Sequence, residues 1–261
     1  MAEGLITRGT TNVNRLRRCD RWIATWPGLR RVGRADVVDL GFGARAITTL
    51  ELATRLGKVR DDVHVWGIEI DPERVATANR ELAAVRPPVT NVSFSHGGFE
   101  IPEPRDRDPV VIRAFNVLRQ YDVSEVDGAW ATMLERLHPD GVLVDGTCDE
   151  LGRVSTWLAL TPTGPQSLSL SLRLTDLESP LIAAERLPKA LIHRNVPGEG
   201  VHAFLLALDE AWRMNASLST FGPVQRWQAA VAHVAATGWP LIGGRSRWRL
   251  GEVTVAWHAV A

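Results

Sequence analysis

Cysteine is scarce in this sequence, and so are lysine, tyrosine and long apolar runs. The only cysteines among 261 residues are Cys19 and Cys148, which form neither a CxxC pair nor a Cys/His cluster. A disulfide framework and a structural zinc site are therefore not expected, no metal is predicted, and a reducing cytoplasm is the expected location. The apolar run AFLLAL is too short to span a membrane, and no apolar block follows the first arginines as it would in a secretory signal.

Charge is balanced over the whole chain but not along it. The sequence has 30 basic and 30 acidic residues, and lysine occurs only at positions 58 and 189. Residues 1–34 carry eight arginines against two acids, so this leader has a net charge of +6 and the remainder a net charge of −6. A basic leader is typical of proteins with an anionic partner, but a solvated arginine-rich helix over residues 12–27 explains the same pattern.

Apolar strands alternate with helices from residue 35 to about residue 150. One helix is expected between Gly43 and Gly57, a second over 72–85 with Asp71 as its N-cap, and a third over 123–137. The strands are apolar throughout, which is typical of a parallel sheet covered on both faces. They are expected at residues 35–40, 63–70, 92–96, 109–115 and 141–146.

This alternation predicts an α/β fold with a Rossmann-like, doubly wound, mostly parallel sheet flanked by helices. Residues 35–261 then form one domain after the leader, with a cofactor half over 35–150 and an elaborated substrate half over 151–261. In the second half we expect a hairpin of two strands, then helices near 201–214 and 223–237, then a last strand. Ligands of such sheets bind beyond the carboxyl ends of the strands, so the site is expected there.

Gly41 and Gly43 lie in the turn between the first strand and the following helix. Glycines let the backbone approach a ligand closely, and the helix start directs N–H groups toward it. Asp39 lies two residues before Gly41, where a carboxylate suits a ligand with an ammonium group and repels a pyrophosphate. Glu69 ends the second strand and is placed to accept hydrogen bonds from two ribose hydroxyls.

The order of three motifs, VVDLGFGA, GIEIDP and LHPDGVLV, resembles the class I S-adenosylmethionine-dependent methyltransferases over residues 35–150. The resemblance implies that S-adenosylmethionine is the cofactor, that the loop with Gly41 and Gly43 wraps its methionine part, and that Glu69 binds the ribose. Asp39 matches the acid that opens the family's D-x-G-x-G motif, whereas Arg45 stands where the family has its third glycine.

Many members of this family carry an acid after the third strand that binds the adenine amino group. The sequence SHGGFE offers Gly98 and Phe99 there, so adenine is expected to meet a backbone group and the apolar side chains of Ile70 and Phe99. Two alternatives stay open: a dinucleotide-dependent dehydrogenase, since GFGARA also fits G-x-G-x-x-A, and a non-catalytic protein that keeps the loop for binding or folding. Asp39 argues against the dehydrogenase.

Residues after the fourth strand are candidates for the site of the methyl acceptor. Asn116 and Tyr121 are predicted to be catalytic, with Arg113 as a substrate contact, although Asn116 is also a typical turn residue. The Asn/Asp-Pro-Pro-Tyr/Phe motif of enzymes that methylate the amino groups of bases is absent. The segment LPKALIHRNVPGE supplies His193 and Arg194 as further substrate contacts, unless it is an ordinary surface connection.

The favoured function is direct methyl transfer to a nitrogen or oxygen of a small molecule, with the leader as a lid, because the sulfonium methyl group is already activated. The alternatives are an RNA or other nucleic-acid methyltransferase with the leader as a basic arm, and a non-catalytic cofactor-binding protein. Cys148 follows a threonine after the fifth strand, which resembles the RNA 5-methylcytosine methyltransferases. The Pro-Cys of that family is absent here, and Asp149 and Glu150 disfavour a thiolate.

Overall fold

A nine-stranded sheet runs through the chain in the computed structural model, which describes residues 2–261. Its strands are β1 (Asp36–Leu40), β2 (His64–Glu69), β3 (Val92–His96), β4 (Val111–Phe115), β5 (Val142–Cys148), β6 (Val154–Thr161), β7 (Gly164–Leu172), β8 (Leu241–Ile242) and β9 (Glu252–Ala256). They lie side by side in the order β3-β2-β1-β4-β5-β6-β7-β9-β8. The first five strands in this order pair in parallel, and the pairs from β5 onward are antiparallel.

Helices cover the sheet on both faces. They are α1 (Arg17–Ile23), α2 (Gly28–Arg31), α3 (Ile47–Leu56), α4 (Pro72–Ala84), α5 (Val123–Leu134), α6 (Lys189–Ile192), α7 (Gly200–Met214), α8 (Pro223–Ala236) and α9 (Arg245–Trp248). Short 3-10 turns lie at Leu118–Gln120, Pro180–Arg186, Ala216–Phe221 and Trp257–Ala259. Leu52 of α3 belongs to the apolar core on one face of the sheet, and Trp130 of α5, Phe204 of α7 and Trp227 of α8 belong to the core on the other.

The Rossmann-like fold expected from the sequence is confirmed, because the parallel strands follow the order 3-2-1-4-5. Asp71 caps α4 as predicted, and its carboxylate accepts a hydrogen bond of 2.9 Å from the backbone N–H of Glu73. The expected hairpin is β6–β7. The sheet turns antiparallel at β6 because only residues 149–153 connect it to β5, and a parallel crossover needs a dozen residues or more.

The helix expected over residues 12–27 is shorter, because α1 begins at Arg17 and ends at Ile23. Asn14 has a φ of 60°, which lies outside the right-handed helical region and prevents an earlier start. Three apolar residues of this stretch, Leu16, Cys19 and Ile23, are buried in the core with α3. Residues 3–11 are not helical and lie along the carboxyl ends of the parallel strands; we call them the N-terminal segment.

No helix among residues 2–261 is long and apolar enough to cross a membrane. Over the same residues, no group of three or more His, Cys, Asp or Glu side chains is arranged to hold a metal ion.

Candidate functional site

The glycine turn after β1 is fixed by the end of β2. Gly41 and Gly43 have φ values of 66° and 87°, which favour glycine. The backbone N–H of Gly43 donates a hydrogen bond of 2.9 Å to Oε2 of Glu69. A Cβ atom at Gly43 would lie 2.6 Å from the carbonyl oxygen of Gly9, so the N-terminal segment crosses directly over the turn.

Asp39 is buried at the end of β1 and binds a residue of the neighbouring strand. Its carboxylate accepts hydrogen bonds from Nε of Arg113 at 2.9 Å and from Oγ1 of Thr49 at 2.7 Å. Arg113 is fully buried and pairs also with Asp20 of α1. Burial opposes its charge, yet the carboxylates of Asp39 and Asp20 raise the pKa of Arg113 above its usual value. The prediction that Arg113 contacts the substrate is therefore wrong, because its guanidinium group is consumed by a buried ion-pair network.

Glu69 holds the backbone around the end of β2. It is buried, and its Oε1 accepts a hydrogen bond of 3.0 Å from the N–H of Ile70 while Arg74 lies 3.6 Å away. Arg45, the residue in place of a third glycine, points away from the turn and forms an ion pair of 2.7 Å with Glu81 on α4. Its side chain therefore leaves the space over the turn free.

The loop after β3 presents one donor and one acceptor side by side. The backbone N–H of Phe99 donates to the carbonyl oxygen of Glu3 at 2.9 Å, and the carboxylate of Glu100 accepts from the N–H of Glu3 at 2.7 Å. Gly98 allows this approach, since a Cβ atom there would lie 1.9 Å from the same carbonyl oxygen. Glu100 was not among the residues predicted from the sequence, which placed the functional position at Gly98 and Phe99; the signal for it was an acid two residues after Gly98.

The N-terminal segment follows the strand ends from β3 to β1. After Glu3, the backbone of Leu5 bonds the hydroxyl of Tyr121, and the carbonyl of Thr7 accepts from Arg74 at 2.7 Å. The carbonyl of Gly9 then accepts from the N–H of Ala44, at the start of α3, at 2.8 Å. The segment thus occupies the edge at which a ligand of this fold is expected.

Two cavities lie on either side of this segment, and Thr7 and Gly41 line both. The smaller has a volume of about 20 Å³ and the larger about 640 Å³. The residues predicted to bind a cofactor divide between them: Asp39, Gly41 and Gly43 line the larger cavity, and Gly41, Glu69, Ile70, Gly98 and Phe99 line the smaller one. The structure therefore brings all seven to one continuous edge, with the N-terminal segment between them.

Asn116 lies in the larger cavity and bridges two strand ends. Its φ of 60° is one that asparagine tolerates, its Oδ1 accepts from the N–H of Cys148 at 2.9 Å, and its Nδ2 lies 3.4 Å from Sγ of Cys148. The turn-residue interpretation thus accounts for the bonds of its side chain. Burial is the main cause that raises the pKa of the Cys148 thiol, with a smaller contribution from Asp149.

Tyr121 is placed on the other side of the segment from Asn116. Its ring packs against Phe99 with 5.2 Å between centroids, and it lines the smaller cavity. Burial raises the pKa of its hydroxyl, which is bonded to Leu5. The two residues predicted to be catalytic, Tyr121 and Asn116, therefore line different cavities, because the 3-10 turn after β4 carries Tyr121 toward the end of β2.

The predicted substrate contacts His193 and Arg194 line neither cavity. His193 is exposed at the end of α6, and Arg194 forms an ion pair of 2.9 Å with Glu199. These residues belong to a surface connection, as the alternative interpretation held. The basic residues that do line the larger cavity are Arg8, Arg15, Arg119 and Arg186.

Two of the leader arginines face inward. Arg15 is 7% exposed and donates to the backbone of Asp149 at 3.0 Å. Arg18 donates to the carbonyl of Gly152 at 3.0 Å and to Ser171 at 3.1 Å. The basic charge of the leader is thus partly committed to contacts within the protein.

No protein-family model matches the chain, and no curated protein matches it. Solved structures resemble part of it. The plantazolicin methyltransferase BamL, in complex with a triazolic desmethylPZN analog and SAH, is 14% identical over 51% of this chain and 46% of its own, with a TM-score of 0.38. The N-methyltransferase NodS from Bradyrhizobium japonicum WM9 is 15% identical over 51% and 67%, with a TM-score of 0.35. The cyclase SpnF is 21% identical over 56% and 49%, with a TM-score of 0.39. The chain thus spans between about half and two thirds of the length of these proteins. The activities that their names state belong to those proteins.

Proposed function

We propose that this protein is a class I S-adenosylmethionine-dependent methyltransferase that transfers the methyl group directly to a nitrogen or oxygen of a small molecule. The observation that supports this most is the row of polar groups at the carboxyl ends of three adjacent strands. The glycine turn follows β1, the carboxylate of Glu69 ends β2, and the Phe99 N–H with the Glu100 carboxylate follows β3.

The groups after β3 suit an adenine ring. Adenine offers an amino donor beside a ring-nitrogen acceptor, and the backbone of Glu3 presents a similar pair: its N–H donates to Glu100 and its carbonyl oxygen accepts from the N–H of Phe99. The rings of Phe99 and Tyr121, together with Ile70, provide apolar walls at the same place. We therefore assign Glu100 the contact with the adenine amino group, a role that was not predicted for it from the sequence.

The remaining cofactor contacts follow from the same edge. Glu69 is assigned to the ribose, and the N–H groups of the glycine turn to the methionine part. Asp39 is assigned an indirect role, because its oxygens are bonded to Arg113 and Thr49 and it fixes the start of α3. The residues present fit S-adenosylmethionine, which supplies an activated methyl group when bound.

The N-terminal segment must move for this cofactor to bind. A cavity of about 20 Å³ holds little more than one water molecule, so adenosine has no room while Glu3 and Leu5 are in place. We propose that the segment is a lid that leaves the adenosine site when the cofactor enters. The alternative role of the leader as a nucleic-acid arm is less well supported, because Arg15 and Arg18 bind within the protein.

Asn116 is assigned to orient the acceptor in the larger cavity. Its carboxamide is fixed by the bonds to Cys148, and an amide oxygen with a second lone pair can accept a hydrogen bond from the acceptor's N–H or O–H group. Cys148 is not assigned a nucleophilic role, since burial raises its pKa and opposes the thiolate. Direct transfer then requires alignment more than covalent chemistry.

The experiment that tests the proposal has two stages. Calorimetry with S-adenosylhomocysteine and with NAD, on the full chain, is expected to show binding of the first only. A tritium-transfer assay from labelled S-adenosylmethionine against metabolite, protein and total RNA extracts then identifies the acceptor class. The proposal fails if no adenosyl ligand binds or if NAD binds better, and labelling of RNA alone would replace the small molecule with a nucleic acid.

A further inference from the structure

Arg119 and Arg186 line the larger cavity, and neither forms an ion pair with a carboxylate anywhere in the part of the chain that the structure describes. Nη1 of Arg119 donates to the carbonyl oxygen of Leu187 at 3.0 Å. This bond places the guanidinium group of Arg119 beside the residue that follows Arg186. Most of the N–H donors of both side chains are thus available to a ligand.

The two guanidinium groups are close enough to affect one another. Burial and, after it, the positive charge of Arg186 lower the pKa of Arg119. Like charges side by side in a partly buried position are unfavourable unless an anion lies between them. An arrangement of this kind is typical of a site for an oxyanion, because the planar forks of two arginines match carboxylate and phosphate oxygens.

The backbone of Arg186 is anchored to the sheet. Its carbonyl oxygen accepts hydrogen bonds from the hydroxyl groups of Thr147 on β5 and Thr156 on β6. Both threonines are buried, so the sheet fixes the position of the Arg186 backbone. A side chain on such a fixed backbone loses less freedom on binding than one on a loose loop.

The two arginines lie at different distances from the glycine turn: Arg119 follows β4, the strand next to β1, and Arg186 lies farther along the sheet. The turn follows β1, and the threonines that anchor Arg186 lie on β5 and β6, two and three strands along the sheet. At about 4.8 Å per strand, the separation is roughly 10–14 Å. The carboxylates in the cavity do not neutralise the pair, because Asp39 is bonded to Arg113 and Glu150 is exposed.

We propose that the methyl acceptor carries a carboxylate or phosphate group, and that Arg119 and Arg186 bind this group in the larger cavity. The inference rests on the proposed function for the identity of the ligand as an acceptor. The anion site itself requires only the two arginines. It replaces Arg113, His193 and Arg194 as the basic contacts to the substrate.

The test measures binding of inorganic phosphate and of acetate to the full chain by calorimetry, without cofactor and with saturating S-adenosylhomocysteine. Arg119→Gln and Arg186→Gln are each expected to lower the affinity for the anion at least about tenfold. Arg30→Gln is the matched control, because Arg30 is exposed on α2 and lines neither cavity, and it is expected to leave anion binding unchanged. Arg119→Lys and Arg186→Lys keep the positive charge but lose the planar pair of N–H donors, so their affinity for phosphate is expected to fall less than their affinity for acetate. They serve as the second measurement if a glutamine variant does not fold.

The outcomes separate the two proposals. Anion binding that is absent from the parent chain, or unchanged in both glutamine variants, overturns the arginine site. A tenfold loss of S-adenosylhomocysteine affinity in these variants also overturns it, because the pair would then hold the cofactor's own carboxylate. Failure of the parent chain to bind S-adenosylhomocysteine, with anion binding still dependent on both arginines, overturns the proposed function and leaves the anion site supported.

Discussion

The backbone N–H of Phe99 donates a hydrogen bond of 2.9 Å to the carbonyl oxygen of Glu3, across 96 positions of sequence. Together with the bond from the Glu3 N–H to Glu100, it ties the start of the chain to the loop after β3. The backbone N–H and carbonyl of Glu3 thus occupy the acceptor and the donor that we assign to adenine. The position of the N-terminal segment therefore determines whether a ligand can reach the proposed cofactor site at the edge of the sheet.

Gly4→Ala is expected to raise the affinity for S-adenosylhomocysteine. Gly4 has a φ of 132°, and a Cβ atom there would lie 2.9 Å from the hydroxyl of Tyr121. A strained backbone of this kind costs roughly 1–2 kcal/mol, which corresponds to a five- to thirtyfold lower population of the docked segment. Calorimetry and stopped-flow tryptophan fluorescence measure the affinity and the association rate.

Gly33→Ala is the control for this variant, since Gly33 also lies in the leader but has open space around it. It is expected to bind like the parent chain. Weaker binding by Gly4→Ala than by Gly33→Ala would mean that the segment closes over a bound cofactor rather than occupying its place.

Glu69→Ala is expected to weaken S-adenosylhomocysteine binding by roughly 1–3 kcal/mol, because two hydrogen bonds to a charged acceptor are lost. Part of this loss will come from the glycine turn, which Glu69 holds through Gly43. Glu135→Gln is a suitable control, since Glu135 is exposed at the end of α5 and lines neither cavity. An unchanged dissociation constant for Glu69→Ala in calorimetry would contradict the assignment.

Cys148→Ser is expected to keep most of the activity once an acceptor is known, whereas Asn116→Ala should lose at least about tenfold, the cost of one well-placed hydrogen bond. The native thiol should also react slowly with iodoacetamide, because burial raises its pKa. Trapping of a covalent adduct with a 5-fluoropyrimidine substrate, abolished in Cys148→Ser, would establish the nucleophilic mechanism instead.

Asp145 on β5 should make the protein less stable as the pH rises. Burial raises the pKa of its carboxyl to about 7, and one hydrogen bond of 3.1 Å from Trp130 opposes the shift. Because the pKa in the unfolded chain is near 3.9, the folded state holds a proton between about pH 4 and pH 7 that the unfolded state has lost. The stability from this proton is fully present below the unfolded pKa and is lost through pH 7, a change of about 2–3 kcal/mol between pH 5 and pH 8.

Asp145→Asn removes this titration and keeps an oxygen for Trp130. Urea unfolding at pH 5 and pH 8 should therefore show a smaller decrease in the free energy of unfolding for the variant than for the parent chain. Equal decreases in the two proteins would show that Asp145 stays ionised in the folded state.

The sequence was sufficient for the parallel half of the fold, because most strands there are short, largely apolar segments and α4 has a recognisable start at Asp71. It was sufficient also to bring the seven proposed cofactor residues to one edge, since their positions follow directly from the strand ends. In that region the secondary structure that the local sequence favours is also the one that the fold adopts, and predictions from sequence succeed under this condition.

The errors concern side chains whose partners are distant in sequence. Arg113 looked accessible because its partners, Asp20 and Asp39, lie 93 and 74 positions away. Tyr121 lies apart from Asn116 because a short 3-10 turn redirects the chain after β4. The N-terminal segment has no periodicity, so its path along the strand ends could be known only from its contacts.

The ion-pair network of Asp20, Arg113 and Asp39 joins α1 to two strands that follow it in the chain. Breaking a buried pair by removing one partner typically costs 3–5 kcal/mol, whereas replacing the whole set with apolar residues is often neutral. A change of only one of these three residues to an uncharged one should therefore be rare among natural relatives. Where the network differs, all three residues should be replaced together. Within the leader, the sequence of residues 3–11 can then change with the ligand. The sequence of α1 can change only together with the residues of β1 and β4 in this network.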